Sequence, residues 1–157
     1  MSRGRGGFRR KGIALLALVV GVLPTVASSA TAAPGATHLS GGGTASISQV
    51  AMNVTIDGSG SARGSFECLM AGRSGFVLGD FGLAHNMIVH AIPSTGSVAG
   101  SVATFEGTGS LILDGSQKMD IHVSVWVNVA TQSFQLTVVE VGTLPVETLG
   151  SGQISLN

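Results

Sequence analysis

The side chains able to do chemistry are few and scattered. Cys68 is the single cysteine, and the histidines are His38, His85, His90 and His122. A thiol nucleophile would join Cys68 to His85, His90 or His122. It would also need a third group to orient the imidazole and donors for an oxyanion. Nothing in the neighbourhood of these residues supplies that apparatus. Cys68 shares an alternating phase with Phe66 and Met70, which predicts burial as a small hydrophobe. An intermolecular disulfide is the other fate open to a lone cysteine in an exported chain. A zinc site needs three or four converging ligands, and no H-x-H or H-x-x-x-H spacing provides them. His85 and His90 stand five apart and fall on opposite faces of a regular strand. His90 and His122 meet only if their strands happen to pair, and His38 lies in a Gly-rich stretch that predicts solvation.

The carboxylates give no stronger lead. Glu67, Glu106, Asp120 and Glu140 lie on different segments, mostly at solvent-facing positions, whereas glycoside hydrolysis needs two that converge. There is no G-x-S-x-G nucleophile elbow. No catalytic residue, no metal and no cofactor is assigned. Trp126 is what remains. It is the one tryptophan, in a chain without tyrosine, and it sits on the polar side of a valine-rich strand. Either a neighbouring strand or loop partly covers it, or it is an exposed anchor for a partner. It is the candidate partner contact. One aromatic alone makes a poor sugar platform.

Three motifs mislead. Leu144-Pro145-Val146-Glu147-Thr148 approaches the sortase signal L-P-x-T-G, but lacks threonine at the fourth place and the apolar segment and basic tail behind it. Asn53-Val54-Thr55 fits an N-glycosylation acceptor, a triplet common by chance. The pairs Gly58/Gly60 and Gly107/Gly109 precede no helical pattern, so they cradle no phosphate.

The elements that must position these residues are strands. Met119, Ile121, Val123, Val125, Val127 and Val129 alternate with Asp120, His122, Ser124, Trp126 and Asn128. Six apolar residues at period two make a long strand with one buried face. Asp114-Gly115 before it predicts a hairpin turn. Ala130–Ser133 predicts a second turn into an antiparallel strand from Phe134. Val50, Met52, Val54 and Ile56 alternate likewise, with a bulge expected near Ser48-Gln49 because Ile47 is out of phase. Asp57–Gly60 is a turn, and Phe66, Cys68 and Met70 set the next strand. Phe76–Leu83 reads as a short strand or an apolar loop. Strands over 84–92 and 98–105 flank a turn at Pro93–Gly96. Gly107-Thr108-Gly109 marks a bend, Leu144-Pro145-Val146 a connection, and 152–156 a closing strand. No helical period exceeds two turns. The fold class is all-β, an antiparallel small barrel or sandwich of about eight strands.

A leader precedes this domain. Arg3, Arg5, Arg9, Arg10 and Lys11 form a positive region. Ile13–Val26 is an apolar run of 14 residues, and Ala30-Thr31-Ala32 offers an A-x-A cleavage site. That order predicts a secretory signal peptide over 1–32. The run is short for a transmembrane helix, which needs about 20 residues. Arg9-Arg10 hints at twin-arginine export, but its flanks favour the general secretory route. Residues 33–43 read as a flexible leader, and 44–157 as one β domain. Of the 157 residues, 44% are hydrophobic and 10% charged, and there are 24 glycines. Cleavage after Ala32 leaves three basic residues (Arg63, Arg73, Lys118) against eight acidic ones, a net charge of −5. An acidic domain of this kind repels phosphate backbones, so nucleic acid is not an expected partner. No membrane span is expected in the mature chain.

The run Val98-Ala99-Gly100-Ser101-Val102-Ala103-Thr104-Phe105-Glu106-Gly107-Thr108-Gly109 and the closing Ser151-Gly152-Gln153-Ile154-Ser155-Leu156 carry a resemblance. They resemble a family of small secreted bacterial all-β domains, with a V-x-G-x-x-A-x-F-x-G-x-G strand before a long alternating one and an s-G-x-I-x-l strand at the end. The resemblance spans roughly 41–157. It implies a fold and no defined activity. Leu144-Pro145-Val146-Glu147 stands where that family has a polar turn. The expectation is a secreted, non-catalytic β domain with a structural or interaction role outside the cell. The alternative is a small β-barrel binding an apolar small molecule, and an enzyme comes third.

Overall fold

Period two governs what the chain builds. The computed structural model describes residues 35–72 and 85–157. The expected signal segment 1–32 and the apolar stretch Phe76–Leu83 lie outside the described residues. Nine strands form: β1 (Thr37–Ala45), β2 (Gln49–Ile56), β3 (Ala62–Met70), β4 (Met87–Ala99), β5 (Val102–Leu113), β6 (Gln117–Asn128), β7 (Ser133–Val138), β8 (Gly142–Thr143) and β9 (Glu147–Leu156). Among the described residues there is no helix, and so none long and apolar enough to cross a membrane.

Strands β1 to β7 pair antiparallel in sequence order, and β9 pairs with β1. A short β7–β9 contact, Ser133↔Thr148 and Phe134↔Glu147, joins the two ends of this series. The result is a ring of eight strands with β8 appended to β7. It is not a regular barrel, because that closing contact is only two residue pairs long.

Alternate residues point inward and fill the ring. Val50, Met52, Val54 and Ile56 of β2 are buried, as are Ile121, Val123, Val125 and Val127 of β6 and Phe134, Leu136 and Val138 of β7. Phe66 and Phe105 meet edge to face, with centroids 5.7 Å apart. Full burial of each such side chain stabilises the fold by about 1.5–3 kcal/mol. Turn chemistry follows the sequence at two hairpins. Asp114 and Gly115 both take positive φ, 50° and 74°, which suits the tight three-residue turn Asp114–Ser116 between β5 and β6. Asp57 accepts from the Ser59 and Ser61 backbone N–H groups and from the Ser59 hydroxyl.

Several expectations fail. Residues 33–43 are not a flexible leader throughout, because β1 begins at Thr37 and runs between β2 and β9. A Cβ on Gly41 would stand 2.0 Å from the Gln153 carbonyl oxygen, at φ 129°. Glycine there lets β9 approach, and a composition that reads as a linker is a tightly packed strand. His38 is half-buried and hydrogen-bonded to Thr55 Oγ1 at 3.2 Å. Ser46–Ser48 is the turn between β1 and β2 and not a bulge inside a strand. Pro93–Gly96 does not turn the chain. β4 runs through it with a register shift between Pro93 and Thr95, and the hairpin to β5 falls at Gly100-Ser101. Gly107-Thr108-Gly109 does not break β5 either. A Cβ on Gly107 or Gly109 would lie 2.1 or 2.0 Å from the carbonyl oxygens of Ile92 and His90, so both glycines admit close contact with β4.

Candidate functional site

The polar side chains singled out above fall into separate pairs. Facing residues of neighbouring strands lie side by side on one surface, so the register decides which of them meet. Glu67 of β3 stands opposite His90 of β4, and His90 Nδ1 is 3.3 Å from Glu67 Oε1 on the outer surface. His90 does not meet His122, because Ser110 of β5 stands opposite His90, and Asp120 of β6 stands opposite Ser110.

His122 instead engages Glu140. Its Nδ1 donates to Glu140 Oε1 at 2.7 Å, and its backbone N–H donates to both carboxylate oxygens at 3.0 and 2.9 Å. These bonds, the ring donor first, hold the Glu140 carboxyl below the usual range. His85 Nδ1 donates to Asp114 Oδ2 at 2.7 Å, and the Asn86 backbone N–H donates to Asp114 Oδ1 at 2.8 Å. The Asn86 bond, then the His85 bond, lowers the Asp114 carboxyl. This cluster ties the start of β4 to the β5–β6 turn. Glu106 and Asp120 face solvent, opposite Ser124 and Ser110 respectively.

Cys68 is buried, with 1% of its surface exposed. Desolvation pushes its thiol up to about 12, with the nearby Glu147 charge adding to the rise and a Ser48 hydrogen bond opposing it. A nucleophilic cysteine needs the reverse shift. Cys68 points into the ring whereas His90 points out, so the two form no pair.

Sequence reasoning missed Glu147. It is 1% exposed. Its Oε2 accepts from the backbone N–H groups of Ile47 and Ser48 at 2.9 and 3.1 Å, and its Oε1 accepts from Ser48 Oγ at 2.9 Å. A buried carboxylate persists where donors surround it, and here they are the turn between β1 and β2. The available signal was a carboxylate beginning the last strand in place of a polar turn.

Among the described residues, an outer depression and the face around Trp126 are open to recognition. A depression of about 500 Å³ lies across the outer side of β1–β4, lined by Gln49, Ala51, Glu67, Leu69, Ile88 and His90 among others. Trp126 is half-buried on the outer face of β6, with Thr104 of β5 on one side and Gln135 of β7 on the other. Among the described residues it is the aromatic side chain that faces outward, because Phe66, Phe105 and Phe134 are in the core. Neighbouring strands therefore cover part of Trp126 and leave the rest at the surface.

No family model, curated protein or solved structure matches the chain. Any functional reading therefore rests on the site itself. Among the described residues no three of His, Cys, Asp and Glu converge as a metal-binding group. The His85–Asp114 and His122–Glu140 pairs tie turn residues to the sheet, and His90–Glu67 bridges the neighbouring strands β4 and β3.

Proposed function

We propose that the protein is an exported, non-catalytic β domain that works through contacts made outside the cell. The observation that carries this reading is Trp126, held half-exposed among Thr104 and Gln135 on the outer face of β5–β7. Tryptophan is enriched among the residues that dominate binding energy. The titratable side chains support the same reading from the other direction, because their partners are structural. The signal-like order of Arg3–Lys11, Ile13–Val26 and Ala30-Thr31-Ala32 supports export. The filled interior, with Phe66, Phe105 and Phe134 fully buried, weighs against the apolar-ligand alternative.

The test is native mass spectrometry of the protein recovered from its own host, beside a Trp126→Ala variant. A mass beginning at Ala33 supports export, and recovery of the uncleaved chain in the cytosol overturns it. A bound partner that Trp126→Ala releases without unfolding the domain supports the contact surface. A small apolar molecule that survives Trp126→Ala and leaves on denaturation establishes the ligand-binding alternative instead.

A further inference from the structure

Strand β6 outruns its neighbour on one side. Gln117–Asn128 pairs with β5 over its whole length, whereas β7 pairs with it only from Val123 to Asn128. Beyond that point Val139 N–H donates to the His122 carbonyl, and Glu140 accepts from the His122 N–H. The backbone groups of His122 therefore point away from β5. By strand alternation those of Lys118 and Asp120 do so too, and no described residue pairs with them there. Lys118, Met119 and Asp120 are all exposed. Met119 is in phase with the buried Ile121 and Val123, yet 48% of its surface is open. A strand edge of this kind is a template for another strand.

The side chains make the edge complementary to itself. We propose that β6 pairs antiparallel with β6 of a second copy of this chain, about a twofold axis through Met119. Lys118 then faces Asp120 of the partner subunit on the outer surface, and Asp120 faces Lys118 of the partner subunit. Both facing pairs direct N–H and C=O toward the edge, so each closes two backbone hydrogen bonds. Met119 sits in the position between them, where no backbone bonds form and side chains approach most closely. Sliding by two residues sets Lys118 against its own copy, or Asp120 against its own copy, and like charges oppose both registers. A one-residue slip faces groups that point away.

The edge is bounded. Glu140 occupies the His122 N–H at one end, and the Asp114–Ser116 turn ends it at the other. A twofold contact of this length closes on itself and does not grow into a fibre. Four backbone bonds, two exposed ion pairs and one methionine contact make an interface smaller than a stable dimer needs, so the association is reversible and weakens as salt rises. This proposal is independent of Trp126 and of export.

Sedimentation velocity of the chain as its host produces it, over a wide concentration range, should show a monomer–dimer equilibrium weakened by salt. Lys118→Asp and Asp120→Lys should each weaken dimerisation by about tenfold, and the double exchange should restore it. Met119→Cys should form a disulfide-linked dimer under mild oxidation faster than Val139→Cys, with circular dichroism showing both folded. A monomer at every concentration overturns the proposal. So does a dimer indifferent to both single charge reversals, or cross-linking no faster at 119 than at 139.

Discussion

The side-chain amide of Gln132 pairs with the backbone of Ile154 as another strand would. Gln132 Nε2 donates to the Ile154 carbonyl at 2.9 Å, and Ile154 N–H donates to Gln132 Oε1 at 2.8 Å. The Gln132 carbonyl also accepts from Leu149 N–H at 2.9 Å. These bonds fill the seam that β7 and β9 leave between them.

Gln132→Ala should therefore cost about 1–3 kcal/mol, since it leaves both Ile154 groups unmatched at a part-buried position. Gln132 also takes φ 51°, so Gln132→Gly separates the two roles. If the amide dominates, Gly destabilises much as Ala does. If backbone strain dominates, Gly raises the midpoint of urea unfolding followed by Trp126 fluorescence.

Glu147→Ala should be among the most damaging single changes outside the apolar core. It strands the N–H groups of Ile47 and Ser48 and the Ser48 hydroxyl, at a cost of about 3 kcal/mol or more. Glu147→Gln keeps the shape and one acceptor, and should cost clearly less. Equal losses in thermal unfolding of the two variants would contradict this ranking.

Cys68 should resist alkylation in the native protein and react on unfolding. Its thiol is pushed up to about 12 and is 1% exposed, so little thiolate exists at pH 8 and reagent has no path to it. Iodoacetamide labelling followed by intact mass should track the fraction unfolded in urea. Rapid labelling without denaturant would refute the burial.

Acid should loosen the turns first. The Asp57, Asp114 and Glu140 carboxyls are all lowered, by the Ser59 hydroxyl, the Asn86 N–H and the His122 ring respectively. A lowered folded-state value contributes stability above the unfolded value, near pH 4, and loses it as pH falls through the folded value. Urea midpoints should therefore drop as pH is lowered below about 4. Glu140→Gln should flatten part of that slope. These groups are exposed, so each effect is small.

The strictly alternating strands are legible in the residues alone. β6 and β2 follow from their valines and isoleucines, and Asp114-Gly115 marks its own turn. The failures share a cause. Gly41-Gly42-Gly43 reads as a linker because the sequence shows flexibility and hides the carbonyl packed against each Cα. Pro93 reads as a turn, yet β4 absorbs it at a register shift. Met119 obeys the buried phase but stands where β7 has already ended. The site is less legible than the fold. Trp126 is visible as an outlier on a polar face. Glu147 is not, because its donors lie about a hundred residues earlier in the chain.

The pairing of β9 with β1 orders events in time. Ser155 Oγ donates to the Ser40 carbonyl across 115 positions of sequence. A chain emerging from its N-terminus offers β1 early, with β2 on one side and nothing yet on the other. That glycine-rich strand waits with an open edge until β9 is released. Completion is consequently late and slow, as contacts of such long range require. The partly emerged chain is the stage most exposed to pairing with the wrong neighbour.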